Sequence, residues 1–361
     1  MNNIGKLRNY EIDAIKLMCA IIIFLTHIGG PGSTYESSTE EPGFAWISVH
    51  VFFMISGFLM VNGIIERNPE PAIAGKFSFN YVINKFKRIA PQYIVAGLSI
   101  FAVNIYIFNK LSLYITPFDM MVRSLSEVFA VSAVGIGLET TFNSLVWYIS
   151  AMLITMLPLS FLLIKSKDFF LYIFSPLTAL FALGFMYQSG DIVSTMQLNR
   201  YGIFTGGIIR ALSGLCFGAV AYIIYEKLRE INNKRYNVIL TICEGTGWIL
   251  LFCAWFVKWI LNCTSKETLF CAVLILPLLI AIAFSGKSYI SYIFKLKCFK
   301  YAGILSETIY LNHMTGIVLI SALCPDINVT DRLIQAVLFT AVFGAANIIV
   351  VKIIKRYCRK E

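Results

Sequence analysis

Long apolar segments recur along almost the whole chain and are separated by short stretches that hold most of the charged residues. About ten of these segments are long enough to cross a bilayer as helices, which takes about 20 residues each. They run roughly over 12–28, 44–65, 89–108, 143–164, 169–187, 206–225, 238–260, 267–285, 301–323 and 332–351. The pattern predicts an all-α, polytopic bundle of about ten transmembrane helices, which forms a single domain over residues 1–361.

The segment 117–134 differs from the apolar spans because charged residues recur along it. Asp119, Arg123 and Glu127 stand at every fourth position, which places all three on one face of a helix. A helix with one charged face and one apolar face is typical of the membrane surface. We therefore predict that 117–134 is an interfacial helix within the domain and not an additional span.

The basic residues test this topology, because cytoplasmic loops carry an excess of Lys and Arg. With ten spans, the loops assigned to the inside hold 22 Lys and Arg residues and the loops assigned to the outside hold 4. Counting 117–134 as a further span would place the basic loops after residue 164 outside. We therefore expect both termini in the cytoplasm and a multi-pass protein of the inner cell membrane.

The composition agrees with a membrane protein and excludes an ordinary soluble domain. Charged residues make up 14% of the chain and hydrophobic residues 58%, with a mean hydropathy of +0.75, whereas a soluble domain has about 25% charged residues. The net charge of +10 follows from the basic inner loops, so we expect contact with lipid and no nucleic-acid partner. The nine Cys stand singly, without a C-x-x-C pair, and we expect no metal site.

Polar residues within the spans are candidates for function, because they are costly to bury in a membrane. The first span carries Asp13 and Lys16 near its inner end and His27 near its outer end. Lys16 and His27 are eleven residues apart, or about 16 Å along a helix. A histidine there can act as a general base. The alternative is a Lys that extends to the interface and a His that is hydrogen-bonded there.

Two further groups of polar residues are candidates. Lys85 and Arg88 stand in a basic cluster at the inner start of the third span, where they could bind phosphates or reflect only the basic character of inner loops. Glu307, Tyr310 and His313 lie at helical spacing in the ninth span, so several of them can share one face. A Glu–His or Glu–Lys arrangement could orient a base; the alternative is that these groups hold neighbouring helices together.

The second span adds a histidine and a small-residue pair. His50 lies near its outer end, where a histidine at the membrane interface is the simplest interpretation. Ser56 and Gly57 lie further along and are small enough to let another helix approach closely.

Five short motifs occur in order between residues 13 and 313. They are Asp13-Ala14-Ile15-Lys16 with His27, the segment Phe52–Phe58, the segment Lys85–Pro91, Trp147-Tyr148-Ile149 with Pro158, and Ile309–His313. In this order and spacing the chain resembles the acyltransferase-3 family of membrane acyltransferases, which includes O-acetyltransferases of bacterial surface polysaccharides. The chain departs from the family pattern at Lys16 and Lys85, where the family usually has Arg, and at His50, where it often has Pro. The chain resembles the short, membrane-only form.

The resemblance implies a function. It implies an acyl-CoA co-substrate, with acetyl-CoA expected, supplied from the cytoplasm, and no bound cofactor. The acceptor would be a hydroxyl of a surface polysaccharide or a lipid-linked glycan. Lys16, Lys85 and Arg88 would hold the CoA phosphates, and His27 would act as general base or as transient acyl acceptor. Glu307 and His313 would assist the catalysis. The supporting residues would be Asp13, Ser56, Trp147 and Tyr310.

Two other classes of function use the same polar residues. The protein could be a carrier or exporter of polysaccharide or of a small polar solute, with these residues along its pathway. It could also be a scaffold in a polysaccharide assembly complex. A scaffold has no need of Lys, His and Glu within the membrane, so the ordered motifs argue against it.

Overall fold

A computed structural model of the chain describes residues 9–28, 45–110, 116–135, 143, 147–190, 200–261, 266–324 and 327–357. The described residues form twelve α-helices: α1 (Tyr10–His27), α2 (Ala45–Arg67), α3 (Ala74–Lys110), α4 (Pro117–Val128), α5 (Trp147–Lys165), α6 (Lys167–Phe169), α7 (Ser175–Ser189), α8 (Gly206–Glu230), α9 (Lys234–Leu261), α10 (Lys266–Ser285), α11 (Ala302–Leu323) and α12 (Val329–Tyr357). A π-helical turn, Phe170–Phe174, joins α6 to α7.

Short elements connect some of the long helices. Single 3-10 turns occur at Pro71–Ile73 and Ser132–Val134, and a longer pair, Tyr289–Lys295 and Lys297–Tyr301, fills the connection from α10 to α11. Two antiparallel strands of two residues each, β1 (Arg200–Tyr201) and β2 (Phe204–Thr205), precede α8. The fold is otherwise helical, which confirms the all-α prediction.

Eight helical stretches among the described residues are long and apolar enough to cross a membrane. They are 46–67, 71–107, 147–165, 167–189, 206–230, 234–253, 266–285 and 330–357. The helices α1 and α11 coincide with two more of the predicted spans but are more polar, because they carry most of the candidate site residues. The polytopic bundle is therefore confirmed, while the number of spans and the side of the termini stay predictions.

Large apolar side chains cover the outer surface of the bundle. Phe181 of α7 is 72% exposed, Ile242 of α9 62% and Val342 of α12 63%. In water such a surface would be unfavourable, whereas lipid tails are as apolar as these side chains. The exposed residues indicate a multi-pass membrane protein.

The third long helix begins earlier than the hydrophobic pattern predicts. The apolar segment starts near residue 89, but α3 begins at Ala74, so Lys85 and Arg88 lie inside the helix and not at its start. Hydropathy marks where a helix enters an apolar environment, whereas Lys and Arg are good helix formers and do not end one. Pro91 is accommodated within α3, as is common in membrane helices.

A helix is also present where an interfacial one is predicted. Thr116 caps α4, and its hydroxyl accepts a hydrogen bond from the Asp119 backbone N–H at 3.1 Å. Phe118 and Leu125 are exposed, whereas Glu127 is buried against the bundle. The apolar face of α4 therefore points outward. Its place at the membrane surface stays a prediction.

Close packing of α2 against α8 fixes the centre of the bundle. A Cβ atom at Gly57 would overlap the backbone carbonyl of Leu215, and one at Gly218 would overlap that of Met54. Gly214 and Gly218 form a G-x-x-x-G pair on α8, the spacing that lets two membrane helices touch along their backbones. The prediction that Gly57 allows a close helix approach is confirmed.

Candidate functional site

Two histidines from different helices face each other at the centre of the candidate site. The imidazole rings of His27, near the end of α1, and His313, in the middle of α11, have centroids 5.2 Å apart and are tilted by 54°. Their helices pack against each other along much of their length. The structure thus brings together two residues that are 286 positions apart in the sequence.

Backbone carbonyls fix the tautomer of both rings. His27 Nδ1 lies 2.7 Å from the Ile23 carbonyl oxygen, and His313 Nδ1 lies 3.0 Å from the carbonyl oxygens of Ile309 and Tyr310. A carbonyl oxygen can only accept, so Nδ1 carries the hydrogen in each neutral ring and Nε2 carries the lone pair. His313 Nε2 is buried and has no partner among the described residues. Both rings are therefore oriented to accept a proton at Nε2.

Aromatic side chains enclose the histidine pair. Phe24 meets His313 edge-on at 6.0 Å, and Tyr310 lies 6.3 Å from the same ring. Tyr310 in turn packs on Tyr148 at 5.8 Å. The Tyr148 hydroxyl lies 3.4 Å from Ser56 Oγ. These contacts place Tyr310 next to the histidine pair and connect Ser56 to Tyr310 through Tyr148. The enclosing aromatic side chains give the site a low dielectric constant.

A basic cluster lies about 16 Å from the histidine pair along α1, nearer the start of the helix. Lys16 lies 3.8 Å from the Asp13 carboxylate. Lys85 is within electrostatic range of both Lys16 and Arg88. Lys16 is about 16 Å from His27 along α1 by helix rise. The structure thus brings the predicted phosphate-binding residues together from α1 and α3.

Glu307 belongs to this basic cluster and not to the histidine pair. It is within electrostatic range of Lys16, Arg88 and Lys355. Gln92, with its amide NH2 turned toward Glu307, donates to both carboxylate oxygens, the Oε2 contact being 2.8 Å. Glu307 precedes His313 by six residues, or about 9 Å along α11. It therefore lies at the basic end of the site.

A polar network connects the two ends of the site. Asn347 of α12 donates to the backbone carbonyl of Gln92 at 3.0 Å and lies 3.4 Å from Asn312 Oδ1. Asn312 directly precedes His313. Sequence analysis missed the roles of Gln92, Asn347 and Lys355. An amide next to Pro91 and an Asn within an apolar span were signals, but nothing in the sequence shows that they meet Glu307 and Asn312.

Trp147 lies in an aromatic group that Phe53 connects to Tyr148, at 6.3 Å from Trp147 and 4.5 Å from Tyr148. The Arg210 guanidinium is 4.5 Å from the ring centroid of Trp46 and 5.9 Å from that of Trp147. His50 stacks on Trp46 at 4.5 Å and is fully buried inside the bundle, while its place at the membrane interface stays a prediction. The small neighbours on α8 admit this ring deep into the bundle. Trp147 thus helps to enclose a buried arginine and has no described contact with the histidine pair.

A comparison with protein families agrees with this geometry. A family model described as an acyltransferase domain matches residues 9–355, nearly the whole chain. No curated protein and no solved structure matches the chain. The matched range includes both the histidine pair and the basic cluster.

Proposed function

The chain belongs to the acyltransferase-3 family and is a membrane acyltransferase, and from this premise we propose that it is an O-acyltransferase that uses acyl-CoA. The acyl group, acetyl in the simplest case, passes from CoA in the cytoplasm to a hydroxyl of a surface polysaccharide or a lipid-linked glycan. The histidine pair is the observation that carries the proposal. Acyl transfer to a hydroxyl needs a base in a site that excludes water.

In the proposed reaction His27 acts as the general base. Its Nε2 takes the proton of the acceptor hydroxyl while the hydroxyl oxygen attacks the thioester carbonyl. The resulting tetrahedral intermediate collapses with cleavage of the C–S bond, and the CoA thiolate takes the proton back from the imidazolium. The products are the ester and free CoA, and His27 is neutral again. The Ile23 carbonyl supports this role, because it holds Nδ1 protonated throughout.

His313 is proposed to assist at the same proton. Its Nε2 also carries a lone pair and is buried without a described partner, so it can accept a hydrogen bond from the acceptor hydroxyl or stabilise the imidazolium of His27. The ring distance of 5.2 Å allows one hydroxyl to lie against both rings.

The basic cluster is proposed to bind the CoA phosphates. Lys16, Lys85 and Arg88 supply three basic side chains from two helices, and charged hydrogen bonds to phosphate are among the strongest in proteins. The approximately 16 Å from Lys16 to His27 would be spanned by the pantetheine arm. Asp13 positions Lys16 through the 3.8 Å ion pair, and Glu307 is proposed to set the spacing of the cations around it.

The proposal is tested with the purified full chain in lipid nanodiscs. Acetyl-CoA carrying a labelled acetyl group is supplied with a glycan fraction from the source membrane, and free CoA and labelled glycan are measured together. We expect acceptor-dependent CoA release in the wild type and a loss of about 10²- to 10⁴-fold in His27→Ala, as for removal of a general base. His50→Gln, which alters a histidine outside the pair, serves as the matched control.

Two results would contradict the proposal. Full acylation by a correctly inserted His27→Ala variant would exclude the role of His27. Movement of glycan or solute across the membrane without CoA release would instead support the carrier function.

A further inference from the structure

A fourth basic side chain lies beside the basic cluster, on a helix other than α1 and α3. Lys355 of α12 is within electrostatic range of Glu307, as are Lys16 and Arg88. The Lys355 side chain is exposed. It forms no ion pair with a carboxylate in the part of the chain that the structure describes. Its charge can therefore act on a ligand of the basic cluster.

Close packing of α12 against α11 fixes the position of Lys355. A Cβ atom at Gly316 would lie 3.1 Å from the Thr340 backbone nitrogen, and Asn347 lies 3.4 Å from Asn312 Oδ1. The contacts move back along α11 as they move forward along α12, so the two helices are antiparallel. Lys355 follows Asn347 by eight residues, or about 12 Å. This distance takes Lys355 from the level of the histidine pair to the basic end of the site.

The basic side chains surround a carboxylate and differ in exposure. Lys16 and Lys85 are half-buried, whereas Lys355 is exposed near the end of α12. Glu307 is within electrostatic range of both Lys16 and Lys355. Because a carboxylate repels a phosphate, Glu307 favours two separate phosphate positions around it over one position that all the basic groups share. The cluster is therefore suited to a ligand that carries phosphate in two places.

CoA carries phosphate in two places, a 5′-diphosphate attached to the pantetheine arm and a 3′-phosphate on the ribose. The diphosphate continues the arm, so it matches the half-buried Lys16 and Lys85, and the 3′-phosphate matches the exposed end of the cluster. We propose, on the basis of the acyl-CoA function proposed above, that Lys355 binds the ribose 3′-phosphate. Lys355 thereby makes the site selective for CoA thioesters over donors that lack this phosphate, such as 3′-dephospho-CoA and acyl carrier protein.

Equilibrium binding of two ligands tests this role without turnover. CoA and 3′-dephospho-CoA differ only in the 3′-phosphate, and each is titrated into the full chain in nanodiscs by isothermal calorimetry. We expect the wild type to bind CoA about five- to tenfold more tightly, between the value of an exposed ion pair and that of a charged hydrogen bond. Equal affinity of the wild type for the two ligands would overturn the proposal.

Three variants assign the preference to one side chain. Lys355→Met should bind the two ligands about equally and should leave the affinity for 3′-dephospho-CoA unchanged, because only the contact with the 3′-phosphate is lost. Lys355→Arg keeps the charge and should keep the preference. Arg356→Met is the matched control, since it removes an exposed positive charge from the same end of α12, and it should also keep the preference. An unchanged preference in Lys355→Met, or an equal loss in Arg356→Met, would overturn the proposal.

Turnover measurements separate this role from the acyl-transfer function. If the wild type prefers CoA in binding but releases no CoA from acetyl-CoA with any acceptor, acyl transfer is excluded and the 3′-phosphate site stands. If acetyl-CoA and acetyl-3′-dephospho-CoA are both used with equal KM, acyl transfer stands and the role of Lys355 is overturned. If neither ligand binds, both proposals are overturned.

Discussion

The histidine pair makes a quantitative prediction about how two variants combine. Replacing His27 by Ala removes the proposed base, which contributes about 10²- to 10⁴-fold to the rate, or roughly 2.7–5.5 kcal/mol of activation free energy. Replacing His313 by Ala removes the second Nε2 acceptor. The two rings are 5.2 Å apart, and residues in contact that act on one proton do not contribute independently.

We therefore expect His27→Ala/His313→Ala to be about as slow as the slower single variant. Independent contributions would instead multiply to about 10⁴- to 10⁸-fold. The assay is acceptor-dependent release of CoA by protein in nanodiscs, with size-exclusion chromatography to establish that each variant is folded. His50→Gln, outside the pair, should show nearly the wild-type rate.

If the loss in the double variant equals the product of the two single losses, the histidines act on different steps or different atoms. The common-proton mechanism would then be wrong even if each histidine is needed.

Three other predictions concern packing and donor binding. Gly57→Ala should lower the stability of the bundle by about 1–3 kcal/mol through overpacking against α8, seen as a lower thermal unfolding temperature in detergent. Gly184→Ala, where a new Cβ meets no atom of a packed neighbour within 4 Å, should leave the unfolding temperature unchanged. An unchanged unfolding temperature in Gly57→Ala would contradict the close approach of α2 and α8. Lys287→Met removes Nζ–H donors from carbonyls at the end of α8, two of them at 2.7 and 2.9 Å. The Lys287→Met variant should speed amide hydrogen exchange at the end of α8, whereas Lys295→Met should leave that exchange unchanged. Equal exchange rates in the two variants would show that Lys287 does not stabilise the end of α8. Lys16→Met should raise the KM for acyl-CoA about 10- to 100-fold, the value of one charged hydrogen bond. Lys16→Arg should restore the wild-type KM. An unchanged KM in Lys16→Met would show that Lys16 does not bind the CoA phosphates.

The overall architecture could be predicted from the sequence because the bilayer allows so few solutions. Every backbone group within lipid must be satisfied inside its own segment, so long apolar runs become helices. The start of α3 could not be predicted in this way. The apolar segment begins only after Lys85 and Arg88. The helix nevertheless includes both residues and begins at Ala74.

The site could be predicted residue by residue but not as an assembly. His27 and His313 stand out because intramembrane histidines are rare, yet their 5.2 Å separation depends on how α1 and α11 pack. Gln92 and Asn347 did not stand out, because a single amide within a span is common glue between helices. Only their positions beside Glu307 and Asn312 show that they connect the two ends of the site.

The polarity of α1 and α11 explains why the site forms between them. Asp13, Lys16 and His27 on α1, and Glu307 and His313 on α11, make these helices poorer membrane spans than the eight most apolar stretches. A polar group that faces lipid is unfavourable, so such helices are most stable when their polar faces meet each other inside the bundle. The same side chains that weaken each helix as a separate span therefore favour their pairing. That pairing places Lys16 near Glu307 and His27 against His313, so the cost of burying polar groups in a membrane itself assembles the proposed donor site and the proposed base.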